Sequence, residues 1–203
     1  MPNKNFENFC LDNGYNNIAG VDEAGRGALA GPIVAAAVIL PESFIDIGID
    51  DSKKLSKSKR EKYFQYILLS DCKIGIGIVD NFTIDKINIL QATFNAMIYA
   101  VNNLSIKPDF LLIDGNIKPQ IDIDSKTIIK GDGISLSIAS ASIIAKVTRD
   151  RLMEKLHLEY PIYNFASNKG YGTKEHIKAL NLYRESKTHR LTFLRNIFQL
   201  KLF

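Results

Sequence analysis

The run Ile33-Val-Ala-Ala-Ala-Val-Ile-Leu40 constrains this chain more than any other stretch. It is far shorter than the roughly 20 residues a bilayer span takes. It also shows no polar alternation, so it reads as a strand buried on both faces, ended by Pro41. Such a strand needs cover above and below, and the rest of the chain can provide it. Lys73 to Asp80 alternates isoleucine with Gly75 and Gly77, a period-2 strand whose glycine face leaves room for close packing. From Thr83, the spacing of Ile84, Ile87, Leu90, Phe94, Met97, Val101 and Leu104 predicts one amphipathic helix of about 20 residues. Phe110 to Ile113 is a second continuous apolar strand, and Thr127 to Ile129 a shorter one.

Helices fill the gaps. Ser56 is placed to cap a helix running to about Leu69, with Tyr63, Phe64, Ile67 and Leu68 on its apolar face. Ile138, Ala141, Ala145, Leu152 and Leu156 line a long helix, with Lys146, Arg149 and Lys155 off that face. Pro161 to Gly172 reads as a loop and Thr173 to about Tyr183 as a further helix, followed by a basic, partly apolar C-terminal extension. Residues 1–17 read as a short helix or loop without a functional signal. Strands followed by strand–helix–strand alternation predict an α/β fold, a mixed sheet flanked by helices.

With 203 residues, 46% hydrophobic and 24% charged, the expectation is a single domain over residues 1–203. The N-terminus lacks the apolar core of a secretion signal, and Cys10 and Cys72 are isolated, which fits a reducing cytoplasm. Nothing in the pattern requires more than a monomer or contact with a membrane.

The chemistry lies where strands end. Val21 closes a short apolar strand and is followed by Asp22-Glu23-Ala-Gly25-Arg26-Gly27. Asp114 follows Ile113, and Asp132 lies in Lys130-Gly-Asp-Gly133 after the next strand. Taken alone, the first stretch is equally a solvated turn or a hard-cation site beside backbone that something large approaches. Together the stretches say more, because ligands of α/β sheets bind outside the carboxyl ends of the strands. Four carboxylates gathered there repel one another unless cations neutralise them. With no Cys or His nearby in sequence, an all-oxygen site points to Mg²⁺ or Mn²⁺. Two such ions about 4 Å apart can activate water and stabilise the leaving oxygen of a phosphodiester. The formal net charge is +4, so outside those four carboxylates the chain carries +4 plus 4, or +8, which suits a polyanion. The chain has no phosphate loop of the GxxxxGK[ST] type and no GxSxG nucleophile elbow. His157, His176 and His189 are scattered and read as surface or structural residues.

Several blocks resemble, in order, those of the ribonuclease HII family. They are Ile18 to Pro32 with its DEAGRG core, Asp51-Ser-Lys-Lys-Leu-Ser56, Lys130-Gly-Asp132, Ala141 to Asp150, and Gly170-Tyr171-Gly-Thr-Lys-Glu-His176. The resemblance covers about residues 18 to 193. It implies a ribonuclease H-like fold and cleavage of the RNA strand of RNA–DNA hybrids, including single ribonucleotides embedded in duplex DNA, leaving a 5′-phosphate and a 3′-hydroxyl. It also implies that Asp22, Glu23, Asp114 and Asp132 hold the metals and catalyse. Gly25, Arg26 and Gly27 would read the 2′-hydroxyl, and Tyr171 would pack on the sugar of the following deoxynucleotide. Lys53, Lys54, Lys146 and Arg149 are expected phosphate contacts, against the alternative of a solvated basic face. Ala28 departs from the proline frequent in the family. His189, Arg190 and Phe193 match its C-terminal block, but carry no assigned role.

Two rival readings are a ribonuclease H-like nuclease or strand-transfer protein acting on DNA, and a non-catalytic hybrid-binding module. The second would not need four carboxylates. The final Gln199-Leu200-Lys-Leu202-Phe203 resembles the short peptide by which bacterial replication and repair enzymes dock on a sliding clamp. The alternative there is the end of a last helix, with Ile197, Leu200 and Phe203 on the core.

Overall fold

The computed structural model describes residues 1–199. Its sheet has five strands: β1 (Ile18–Ala24), β2 (Ile33–Ile39), β3 (Lys73–Val79), β4 (Phe110–Asp114) and β5 (Asp124–Ile128). Their spatial order is β3-β2-β1-β4-β5. The first three form an antiparallel meander, and β4 and β5 add to β1 in parallel. β1 is therefore central, with an antiparallel neighbour on one side and a parallel one on the other. Its C-terminal end lies beside that of β4.

The helices are α1 (Asn5–Asp12), α2 (Lys57–Leu69), α3 (Asn81–Ile87), α4 (Ile89–Asn102), α5 (Leu136–Glu159), α6 (Phe165–Asn168), α7 (Lys174–Tyr183) and α8 (Leu191–Gln199). One face of the sheet packs on α4 through Val21, Ala35, Ala37, Ala96, Met97 and Ile113. The other face packs on α5 and α2 through Ala36, Val38, Ala139, Ile143, Phe64 and Ile67. β2 is thus buried on both faces, as its sequence requires. α4 sits directly on β3, because a Cβ at Gly75 or Gly77 would overlap the carbonyls of Ala100 and Ala96.

Three local expectations are corrected. The long amphipathic helix is two helices, α3 and α4, broken at Asn88. That residue takes φ 68°, and its side-chain oxygen accepts from the N–H groups of Leu90 and Gln91. Its positive φ turns the chain and its side chain caps the second helix, so the apolar period continues through a break it does not reveal. Leu68 does not join the buried face of α2 and is 47% exposed. The loop from Pro161 contains a 3-10 turn (Pro161–Tyr163) and the short α6.

The cap expected at Ser56 is present, accepting the N–H of Lys59, and Thr173 caps α7 in the same way, accepting that of His176. α7 and α8 form the C-terminal helical extension, and Ile197 packs against the cluster of Phe165, Leu180 and Leu194. Gln199 closes α8, and Leu200, Leu202 and Phe203 lie outside the described residues. Among the described residues no helix is long and apolar enough to cross a membrane.

Candidate metal and nucleic-acid site

β1 does not stop at Val21. It continues through Asp22 and Glu23 to Ala24, pairing Asp22 with Ala36 and Glu23 with Ala35 on β2. The two carboxylates therefore point to opposite faces of one strand. Asp22 faces α5, where Ser142 hydrogen-bonds it, and Glu23 faces Arg26, at 3.4 Å. They share a site because both lie at the sheet's end, where a cleft of about 540 Å³ opens around the edge. Asp114 ends β4 and lines the same cleft. Asp132 lies in the 3-10 turn after β5, and the N–H of Gly131 donates to Asp114 Oδ1 at 2.7 Å, tying the two later carboxylates together.

Other clefts on the molecule are as large, so size does not single this one out. Its electrostatics do. Burial raises the pKa of Asp22 well above the usual carboxylate value, and the charges of Glu23 and Asp114 add to it. Burial raises Glu23, opposed by Arg26, and raises Asp114, opposed by the Gly131 hydrogen bond. Lys53 donates to Asp132 Oδ2 at 3.0 Å. Burial alone would lower its pKa, but the bond and charge of Asp132 outweigh that and raise it.

Among the described residues no three acidic, histidine or cysteine side chains are drawn together tightly enough to hold an ion as they stand. The donor chemistry nonetheless fits a hard divalent cation. The donors are carboxylate oxygens only, and the raised pKa values of Asp22, Glu23 and Asp114 reflect burial and mutual repulsion that such an ion would offset.

The turn from Gly25 to Pro32 forms the next wall, and its conformation is set from behind by two buried arginines. Arg149 donates to the carbonyls of Pro32 (2.9 Å), Lys169 (2.9 Å) and Ala30 (3.2 Å). Arg190 donates to those of Gly31 (3.0 Å) and Arg26 (2.9 Å). Arg149 was expected to contact phosphate, and that expectation is corrected. Its side chain is 0% exposed and its donors are occupied by backbone carbonyls. Burial lowers both guanidinium pKa values, Arg190 to about 9, with the neighbouring Arg149 charge contributing there.

Tyr171 lines the same cleft, with the Arg149 guanidinium 5.3 Å and Lys146 Nζ 5.9 Å from its ring centre. Gly25, Arg26, Gly27, Lys53 and Lys146 all line the same cleft, whereas Lys54 pairs with Asp50 at 3.2 Å outside it. Lys146 is paired with Asp150 at 2.8 Å.

Several contributors carried no assignable signal in the sequence. Ser52 and Ser142 hydrogen-bond to each other at 2.9 Å and support Asp22. Both lie in blocks whose similarity was visible but whose role was not. Glu7 of α1 accepts from the hydroxyls of Ser135 and Ser137 at 2.6 Å, fixing the start of α5 just beyond Asp132. Arg190 stood in a matching block without a role, because only the tertiary fold brings it under Arg26.

A model of the ribonuclease HII family matches residues 19–201. Ribonuclease HII of Syntrophus aciditrophicus (strain SB) is 56% identical over 188 residues, which is 93% of this chain and 89% of the relative. Ribonuclease H2 from Pyrococcus horikoshii OT3 superposes with a TM-score of 0.73 at 29% identity, over 91% of this chain and 98% of that one. A chain of the PCNA:RNase HII complex from Archaeoglobus fulgidus does so with 0.74 at 26%, over 87% and 94%.

Proposed function

The chain belongs to the ribonuclease HII family, and from that premise we propose that it cleaves the RNA strand of RNA–DNA hybrids and cuts at single ribonucleotides in duplex DNA. The observation that carries this reading is one cleft shared by carboxylate-bearing strand ends, a glycine-rich turn and an aromatic side chain. Asp22, Glu23, Asp114 and Asp132 would hold divalent cations. When bound, Mg²⁺ or Mn²⁺ ions supply a Lewis acid and lower the pKa of water, giving 5′-phosphate and 3′-hydroxyl products.

The remaining steps fall to the chain's own groups. Gly25 and Gly27 present bare backbone at the cleft wall, where the 2′-hydroxyl that distinguishes RNA from DNA can be read as donor and acceptor. Arg26, 54% exposed at its side chain, takes a phosphate beside Glu23. Tyr171 packs on the next sugar and rejects a ribose there by shape. Lys53 and Lys146 hold the phosphate backbone, with Lys54 further out along it.

The test is a DNA duplex with one embedded ribonucleotide, incubated with Mg²⁺ or Mn²⁺. The expected product is a single cut beside the ribonucleotide that is lost without metal and in Asp114→Asn. No cut, or full activity in Asp114→Asn, overturns the reading. Cutting of an all-DNA duplex would instead favour a DNA nuclease. Binding without cutting would favour a hybrid-binding module.

The A. fulgidus neighbour was solved with PCNA, which supports a sliding clamp as a partner here. The contact would be through Gln199, Leu200, Leu202 and Phe203. Clamp binding unchanged by deletion of residues 199–203 would remove that proposal.

A further inference from the structure

We propose that the buried His176–His189 pair is a positioning device for Tyr171, a directed hydrogen-bond relay that fixes the tyrosine's backbone relative to the turn carrying Arg26. The proposal rests on the reading of Tyr171 as the residue that meets the nucleotide after the ribose.

Tyr171 lies between α6 and α7, where little regular structure holds it. Its N–H donates to the carbonyl of Asn168 at 2.9 Å, and its own carbonyl accepts from the N–H of Thr173 at 2.8 Å. The third bond is to His176 Nδ1 at 2.9 Å. A carbonyl only accepts, so Nδ1 carries the hydrogen. In the neutral ring Nε2 is then bare, and it lies 3.0 Å from His189 Nε2, which must therefore carry its own hydrogen. His189 Nδ1 is left as an acceptor, and it has two donors, the N–H of Ser186 at 3.0 Å and the Ser186 hydroxyl at 2.9 Å. One arrangement of protons satisfies every contact. It runs in a single direction, from Ser186 through both imidazoles to Tyr171.

The surroundings keep this arrangement rigid. Both rings are buried, at 0% and 1% exposure, among the rings of Tyr163 and Phe165. The segment that carries His189 also holds the back of the turn. Ala30 pairs with His189, the N–H of Arg190 donates to the carbonyl of Leu29, and Arg190 Nη1 donates to that of Arg26. The relay thus joins the two walls of the cleft that meet the nucleic acid on either side of the scissile position. Two buried imidazoles are a costly way to fill this space, because burial opposes their charged forms and requires every nitrogen to be paired. Their geometry provides what aliphatic side chains cannot, a bond to one particular carbonyl.

Two substitutions at His176 separate the ends of the relay. Asparagine places a donor near Nδ1, and glutamine places a group near Nε2. The readout is the ratio of kcat/KM on a duplex with one ribonucleotide followed by DNA to that on a duplex with the ribonucleotide followed by RNA. H176N is expected to keep the ratio within about threefold, and H176Q to lower it about tenfold, as for loss of one positioning hydrogen bond. An unmoved ratio in folded H176Q overturns the proposal, as does an equal loss on both substrates that follows the fall in Tm.

Y171A is the control. If the ratio does not move in Y171A, the reading of Tyr171 has failed, and the proposal falls with it. Nitrogen-15 spectra of the wild-type imidazoles test the relay without any substitution. Nδ1–H on His176 and Nε2–H on His189 are expected, and the opposite tautomer of either ring overturns it.

Discussion

Gly25 rests on the guanidinium of Arg149. At φ 103° its Cα faces that side chain, and a Cβ added there would overlap Nε and lie 2.6 Å from Cδ. Two residues on, Gly27 has nothing within 4 Å of an added Cβ and no positive φ. Glycines that look equivalent in the sequence therefore serve different ends. The prediction is that Gly25→Ala lowers stability by about 2 kcal/mol or more, from strain and overlap together. Gly27→Ala should leave Tm unchanged yet depress kcat/KM on the single-ribonucleotide duplex. Full activity in Gly27→Ala would show that nothing approaches that backbone closely.

Arg149 and Lys146 lie three residues apart on α5, and only Lys146 lines the cleft. Arg149→Met removes three donors to buried carbonyls, a loss of about 3 kcal/mol, which lowers Tm by roughly 6–12 °C in a chain of this size. Lys146→Ala should leave Tm nearly unchanged and lower the slope of log affinity against log salt by about 1. Titrating hybrid binding against KCl for both variants checks this. A changed salt slope in the Arg149 variant would return that residue to the phosphate contacts.

Asp22, Glu23 and Asp114 are held with raised pKa values by burial and mutual repulsion, so at neutral pH the ionised cluster opposes folding. Asp22→Asn removes one charge while keeping the oxygen that accepts the N–H of Glu23. It is expected to raise the metal-free Tm by roughly 2–4 °C, about 1 kcal/mol, while abolishing cleavage. Adding Mn²⁺ should raise the wild-type Tm more than that of the variant. Thermal unfolding with and without Mn²⁺ is the measurement, and an equal Mn²⁺ effect in both proteins would count against Asp22 as a ligand.

The histidine pair predicts a pH dependence whose sign is set by burial. Burial lowers His189 to about 4, helped by the neighbouring His176, and lowers His176 as well. Above pH 6.5, the unfolded-state value, both states are neutral and the pair contributes no slope. As pH falls from about 6.5 to 4, the unfolded chain takes up protons that the folded pair refuses. Stability therefore declines through that window and levels off below it. For His189 the full effect is on the order of 3 kcal/mol. Urea unfolding at pH 7 and pH 5 should show a smaller drop in His189→Gln than in the wild type. Equal drops would mean that the pair is already charged in the fold.

How much was legible follows from what each feature depends on. β2, β3 and β4 were readable because burial on one or both faces is written in consecutive residues, and the cap at Ser56 because a cap is a contact over three positions. The positions of Asp22, Glu23 and Asp114 at strand ends were readable because an apolar run leads to each end, whereas Asp132 lies beyond β5, in a 3-10 turn. Asn88 escaped, because a single residue of positive φ leaves the apolar period intact. Arg149 was misplaced, because counting around a helix put it off the apolar face. Only the fold shows that the carbonyls of Ala30, Pro32 and Lys169 cover it.

The family, the apolar strands and the glycine turn are properties of contiguous residues and can be read without the fold. Only the packed fold shows which face each of Asp22 and Glu23 serves, that Arg149 and Arg190 are buried struts, that Glu7 ties down the start of α5, and that His176 meets His189. Those contacts join segments distant in the chain. They are set by the order β3-β2-β1-β4-β5 and the packing of α5 across it, and no local stretch of residues contains that information.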